Sequence, residues 1–98
     1  MKKEFCIMDS NLPYWDNKRF LGSERNEVFG GKNRKKSIED GLVIFMTPEL
    51  HRTDKISFHK DPKNIIWEDL RKRAEKKWLE YYDKTIDDFI KRYGKNYL

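Results

Sequence analysis

Apolar positions are unevenly spread along the 98 residues, and their spacing changes twice. The run Leu42-Val43-Ile44-Phe45-Met46 is continuous, rich in β-branched and aromatic side chains, and bounded by Gly41 and Pro48. That pattern predicts one buried strand rather than a helix. Val28 and Phe29 predict the end of its hairpin partner. Thr47 is placed to cap, and Pro48 to open, a short helix through Glu49, Leu50 and His51, because proline tolerates the first helical position. His51 then stands near the end of the strand. Beyond Asp61-Pro62 the period becomes helical. Ile66, Leu70, Ala74, Trp78 and Tyr81, helped by Trp67, predict an apolar stripe on a helix over about 62–82. Thr85 and Asp88 have the spacing of a capping box, and Ile86, Phe89, Ile90 and Tyr93 supply a second apolar face that ends at Gly94. Residues 1–23 lack a period and predict loops or a short hairpin. Between Gly30-Gly31 and Gly41 lies a basic turn, Lys32 to Lys36, followed by a turn of Ile38, Glu39 and Asp40 that Ser37 is placed to cap.

The pattern is therefore α+β: a β-hairpin and two C-terminal helices in one domain, 1–98, of which 62–98 is the helical part. Length agrees, since a chain of 12.0 kDa has room for one modest core and not for a large multidomain enzyme. Neither part is a polyelectrolyte tail, with 12 basic and 10 acidic residues in 1–62 and 10 and 7 in 63–98. The net charge of +5 biases the surface toward phosphate backbones or an acidic partner without choosing between them. No apolar run approaches the eighteen or so residues that span a bilayer, and Met1 is followed by Lys2, Lys3 and Glu4. The expectation is a soluble, unexported chain with no membrane partner.

Cys6 is the lone cysteine, so no intramolecular disulfide forms, which fits a reducing compartment. Cys6 and Asp9 have the Cys-x-x-ligand spacing of a metal knuckle, and His51 is a possible further donor from elsewhere in the fold. Thr47 is the weak member of that set, because a structural zinc needs four good donors and a hydroxyl stays protonated. The plainer reading of Cys6 is a small core hydrophobe, with a reactive thiol as the lesser alternative. Glu24, Asn26, Glu27 and His59 form a candidate catalytic set, in which carboxylates would hold a hard cation and histidine would activate water. Gly30 to Ser37 lacks the complete phosphate-loop pattern, yet its glycines and cations Arg34, Lys35 and Lys36 suit a phosphate, as do Arg71, Lys72 and Arg73. Both basic segments also read as solvated faces. Trp67 and Trp78 fall on the core stripe, whereas Tyr14 and Trp15, next to Pro13, are candidates for an exposed protein contact.

Taken in order, Asn26-Glu27-Val28-Phe29-Gly30-Gly31, then Asn33-Arg34-Lys35-Lys36-Ser37, then Asp40-Gly41-Leu42 resemble the core of small bacteriophage HNH-type nuclease domains. The similarity continues through Met46-Thr47-Pro48-Glu49-Leu50-His51, the segment Ile56 to His59, and the ending Asp88 to Leu98. The resemblance implies a ββα-metal core supported by a zinc knuckle and used to cut DNA. Here most of the chemical positions depart from that pattern. Cys6 matches the first knuckle cysteine, Asp9 stands at the second, Thr47 stands where the next is expected, and His51 is retained. Asn26 occupies the position of the general-base histidine within Glu24-Arg25-Asn26-Glu27. Ser57 or Phe58 lies near the final histidine position, with His59 as a displaced substitute.

An amide cannot accept the water proton, and His51 alone cannot restore a four-donor zinc site. Glycines and core positions of the pattern survive. The expectation is thus a degenerate HNH-like phage protein, with no cofactor, acting by binding rather than catalysis. The expected partner is a bacterial defence protein, such as a CRISPR effector nuclease inhibited in the manner of an anti-CRISPR protein, in the cytoplasm of the bacterial host. Two alternatives stand beside it. One is a divergent metal-dependent DNA endonuclease using Glu24, Glu27, His51 and His59. The other is a DNA-binding phage accessory protein using the basic segments.

Overall fold

The computed structural model describes residues 5–10 and 12–98. It is an α+β fold in the order β1 (Glu24–Glu27), a 3-10 turn (Gly31–Asn33) running into α1 (Arg34–Glu39), β2 (Val43–Met46), a π-helical turn (Glu49–Thr53), α2 (Ile65–Tyr82) and α3 (Ile86–Tyr93). Among the described residues no helix is long and apolar enough to cross a membrane.

The apolar run makes β2, fully buried along its length. It pairs antiparallel with β1, Asn26 opposite Ile44 and Glu24 opposite Met46. Val28 N–H continues the ladder to the Leu42 carbonyl at 3.0 Å, so Val28 and Phe29 do lead out of the hairpin strand, although the strand itself is the polar stretch before them. Nothing in Glu24-Arg25-Asn26-Glu27 alternates apolar with polar; the ladder offered by β2 imposes the extended backbone. The other edge of β2 is covered too, since Asp16 and Phe45 exchange both backbone bonds at 2.8 Å. Covering both edges removes a template for aggregation.

Ser37 is not the cap expected of it. It lies inside α1, fully buried, where its hydroxyl donates to the Leu42 carbonyl (2.6 Å) and accepts from Phe29 N–H (3.2 Å), tying the helix to both ends of the hairpin connection. Gly41 then turns the chain into β2 at φ +78°, and a Cβ there would sit 3.0 Å from the Phe5 ring. Conformation and space both demand glycine at this position.

Helix α2 begins at Ile65, three residues beyond Pro62, because Asn64 supplies the cap by accepting from Ile66 N–H at 3.1 Å. Its buried face is Trp67, Leu70, Ala74, Glu75 and Trp78. Tyr81, expected in the stripe, is 58% exposed. The stripe instead passes from Trp78 to Tyr82, one helical turn on, whose hydroxyl donates to the Asp40 carbonyl at 2.9 Å. The capping box of α3 forms as expected: Thr85 Oγ1 accepts from Asp88 N–H (3.2 Å) and Asp88 Oδ2 accepts from Thr85 N–H (3.0 Å). Phe89 and Tyr93 are buried, while Ile86 and Ile90 keep 41% and 37% of their surface in water, so only half of the predicted face is used.

Aromatic rings join the layers. Phe29 meets Phe89, Tyr93 and Tyr97 at 5.6, 4.9 and 5.1 Å between centroids, and Trp78 meets Phe89 at 5.4 Å. Below them Asp40 closes α1 onto both long helices. Its carboxylate accepts from Trp78 Nε1 (2.9 Å), Tyr93 Oη (2.6 Å) and both Nε and Nη2 of Arg92 (2.6 and 2.9 Å). That network pushes the Arg92 guanidinium above its ordinary value, chiefly through its bond to Asp40. The Tyr93 phenol is pushed up as well, first by burial and then by its bond to Asp40.

Candidate functional site

The site grows from the end of the hairpin. Thr47 Oγ1 accepts from Leu50 N–H (3.3 Å) and the Thr47 carbonyl accepts from His51 N–H (3.0 Å), winding the chain into the π-helical turn directly after β2. That turn brings His51 and Arg52 against β1. Glu24 Oε1 takes Nδ1 of His51 at 2.8 Å and Nε of Arg52 at 3.0 Å, while Oε2 takes Arg52 Nη2 at 2.5 Å. The bonds from Arg52, then His51, lower the Glu24 carboxyl from 4.5 to about 2. An ionised carboxylate only accepts, so the His51 proton must be on Nδ1.

The chain then returns past the turn. Phe58 N–H reaches the Leu50 carbonyl (2.9 Å) and His59 N–H the His51 carbonyl (3.1 Å), which sets the two imidazoles side by side with their Nε2 atoms 3.0 Å apart. When both rings are neutral, His59 Nε2–H donates and His51 Nε2 accepts. Burial, followed by the neighbouring His51, lowers the His59 imidazole below its ordinary value, which favours the neutral form of His59.

These groups border a cavity of about 470 Å³ whose walls include Asn26, Glu27, His51 and His59 together with Arg19, Arg25 and Arg34. Glu27 is engaged by Arg34 Nε at 2.8 Å and by Arg25 Nη2 at 3.8 Å. The Arg19 guanidinium lies over the Phe45 ring at 5.0 Å, so the lining carries three arginines and one carboxylate. Asn26 is 3% exposed, and its Nδ2 is buried without a hydrogen-bond partner. A buried, unanswered donor is costly and marks a place where a ligand atom or ordered water is needed. The chemistry that suits this lining is an oxyanion: guanidinium forks and an amide N–H₂ all donate, and phosphate oxygens all accept.

Glu24, Asn26, Glu27, His51 and His59, far apart in the chain, are therefore gathered at one place. The proposed knuckle positions are not. Cys6 Sγ donates to the Val43 carbonyl (3.0 Å), Asp9 binds Lys77 Nζ (2.9 Å), Thr47 caps its own turn, and His51 turns to Glu24. Among the described residues no group of three or more His, Cys, Asp or Glu is arranged to hold a metal ion.

Of the basic candidates, Arg34 lines the cavity and Lys35 is exposed, while Lys36 Nζ donates to the Arg92 carbonyl at 2.8 Å and holds α3. Arg71 donates to the Pro62 carbonyl at 2.7 Å, Lys72 is exposed, and Arg73 pairs with Asp69 at 2.7 Å. Tyr14 is exposed, with its ring edge-on to Trp67. Trp15 corrects the expectation of an exposed contact: it is 6% exposed and part of the core, because the Leu12–Trp15 turn folds its indole inward. Arg19, Arg25 and Arg52 were not singled out by sequence. Arg25 and Arg52 directly adjoin Asn26 and His51, which is the one local signal for them, and Arg19 carries none.

No family model, curated protein or solved structure matches this chain.

Proposed function

We propose that this chain is a degenerate HNH-like domain that binds the phosphate backbone of nucleic acid and does not cut it. The observation that carries this reading is a cavity walled by three arginines and bordered by Asn26, whose buried Nδ2 has no hydrogen-bond partner. The β1, β2 and π-turn order, with His51 on the turn, supports the HNH-like resemblance. In a cleaving domain of that type the position of Asn26 would hold an imidazole to take the proton of water. An amide donates to phosphate but cannot serve as that base.

The metal that the resemblance implies does not fit the residues present. His51 and His59 offer two nitrogens, but Glu24 is closed by Arg52 and His51, and Glu27 is closed by Arg34. A divalent ion would have to displace a guanidinium pair for each carboxylate it gained. Binding to a fluorescent DNA duplex in a salt series tests the proposal. The three cavity arginines predict a slope of log K on log salt of about −2 to −3, reduced by roughly 2 in the double variant Arg25→Ala, Arg34→Ala. Supercoiled plasmid is expected to stay intact with Mg²⁺ or Mn²⁺. Nicking that disappears in His51→Ala would overturn the reading in favour of a divergent endonuclease.

A second reading is a protein-binding phage inhibitor of a bacterial defence nuclease, of anti-CRISPR type and acting in the host cytoplasm. The exposed apolar side chains Tyr14, Phe20, Leu21 and Ile65, at 37, 42, 103 and 77% exposure, favour it. Guide-loaded effectors whose target cleavage stops on adding the purified chain, with no dependence on Arg25 and Arg34, would put this reading first. Unchanged cleavage across diverse effectors would remove it.

A further inference from the structure

A second cavity of about 700 Å³ lies between the start of α2 and the C-terminal tail, walled by Pro62, Lys63, Glu68, Arg71, Lys72 and residues 95–97. It carries four cations against one carboxylate. Arg71 is partly buried, and its hydrogen bond goes to a neutral carbonyl, that of Pro62. Lys63 and Lys72 are exposed, and Lys95 Nζ lies 5.1 Å from the centre of the Tyr97 ring. Cations gathered this way repel one another unless an anion joins them.

The wall is built rather than loose. Glu75, fully buried in α2, accepts Tyr97 N–H at 2.7 Å, and the Tyr97 ring packs on Phe29 at 5.1 Å and Phe89 at 6.3 Å. The same contacts join the second cavity to the first. Phe58 lines the first cavity and carries the Arg71 guanidinium over its face at 5.3 Å. Phe29, under Tyr97, leads directly into Gly30 and Gly31 of the first cavity. The two basins therefore meet where Arg71 lies over Phe58, and they are tied again through the buried Phe29, which precedes Gly30 and packs on Tyr97.

We propose that the two cavities are the ends of one cationic groove that holds a single strand of nucleic acid. The arginines of the first basin and Lys63, Lys72 and Lys95 of the second take successive phosphates, and the partly exposed Tyr97 ring offers a surface on which a base stacks. A single strand is assigned rather than a duplex because an aromatic face is useful only to an unpaired base. This deepens the nucleic-acid reading and rests on it.

The test uses the full chain and fluorescein-labelled oligothymidylates of 20 and 5 nucleotides, with a 20-base-pair duplex as competitor. The triple variant Lys63→Ala, Lys72→Ala, Lys95→Ala removes only exposed side chains, and circular dichroism checks its fold. The 20-mer is expected to bind the native chain more tightly than the 5-mer does and to resist the duplex. The triple variant is expected to lose about tenfold or more in 20-mer affinity at moderate salt and about 2 units of salt slope. Arg25→Ala, Arg34→Ala is expected to weaken the 20-mer as well. If the arginine pair matters and the lysine triple does not, the groove is overturned while backbone binding at the first cavity stands. Should the lysines matter and the arginines not, the groove falls together with the assignment of the first cavity. Preference for the duplex overturns the single-strand assignment. An absence of binding to every probe overturns both readings.

Discussion

Asp40 and Asn26 are both buried polar residues, 7% and 3% exposed, and they behave in opposite ways. Both carboxylate oxygens of Asp40 meet donors, from Trp78, Tyr93 and Arg92, so α1, α2 and α3 are pinned at one point. Asn26 has a buried donor that meets nothing, beside a cavity with an excess of guanidinium groups. A saturated polar network specifies a structure, and an unsaturated one carries a standing free-energy penalty. The penalty at Asn26 is intelligible where an external acceptor completes the site. The contrast sets a saturated network at the end of α1 against an unsaturated donor on β1.

Breaking the saturated hub should have the largest effect. Asp40→Ala leaves the Trp78 indole N–H without an acceptor and reduces Tyr93 and Arg92 to the Lys36 carbonyl and Glu39, and is expected to lose about 3 kcal/mol, the low end of the range for one partner of a buried pair. Against a total of roughly 5–15 kcal/mol this brings the chain close to unfolding. Urea denaturation measures it, and a loss within experimental error would mean that the hub is incidental.

Asn26→Leu sharpens the contrast from the other side. Removing an unanswered donor while keeping the branched heavy-atom skeleton is expected to raise stability by about 1 kcal/mol, and to weaken DNA binding at the same time. A destabilised variant with unaltered binding would show that Asn26 serves the core alone. Thr85→Ala, remote from both regions, provides the control: loss of the capping box is expected to cost about 1 kcal/mol with binding untouched, measured on the same samples.

The smallest effect belongs to Glu24, whose pairs with Arg52 and His51 are solvent-screened. Its carboxyl is lowered from 4.5 to about 2. A depressed folded value means that its contribution is complete above 4.5 and is lost as pH falls toward 2. Acid titration of unfolding should therefore be flatter across that window in Glu24→Gln, and a superimposable titration would show that the ion pairs contribute nothing. Glu75 has the opposite sign, because burial raises its carboxyl. Glu75→Gln is expected to be the more stable form at neutral pH, with the gap closing as acid protonates the native residue.

Several features were legible in the linear chain because they depend on near neighbours. The β2 run, the capping box of Thr85 and Asp88, Gly94 as the left-handed stop of α3, and the Trp67 to Trp78 stripe all appear where the pattern puts them. The convergence of Glu24, Asn26, Glu27, His51 and His59 was likewise anticipated as a set. What escaped was whatever a distant partner decides. Residues 24–27 have no strand pattern of their own; Ser37 reads as a cap until Leu42 and Phe29 surround it; and Trp15 reads as exposed until the Leu12 turn folds it in.

Residue order by itself determined the type and approximate limits of the strongly periodic elements and the excess of positive charge. Tertiary structure alone decided which partner each cation meets and which of the cations line a cavity. The reason is range. Periodicity and capping act over a few residues, while the partner of a charged or polar group is chosen by packing between segments that the chain keeps far apart.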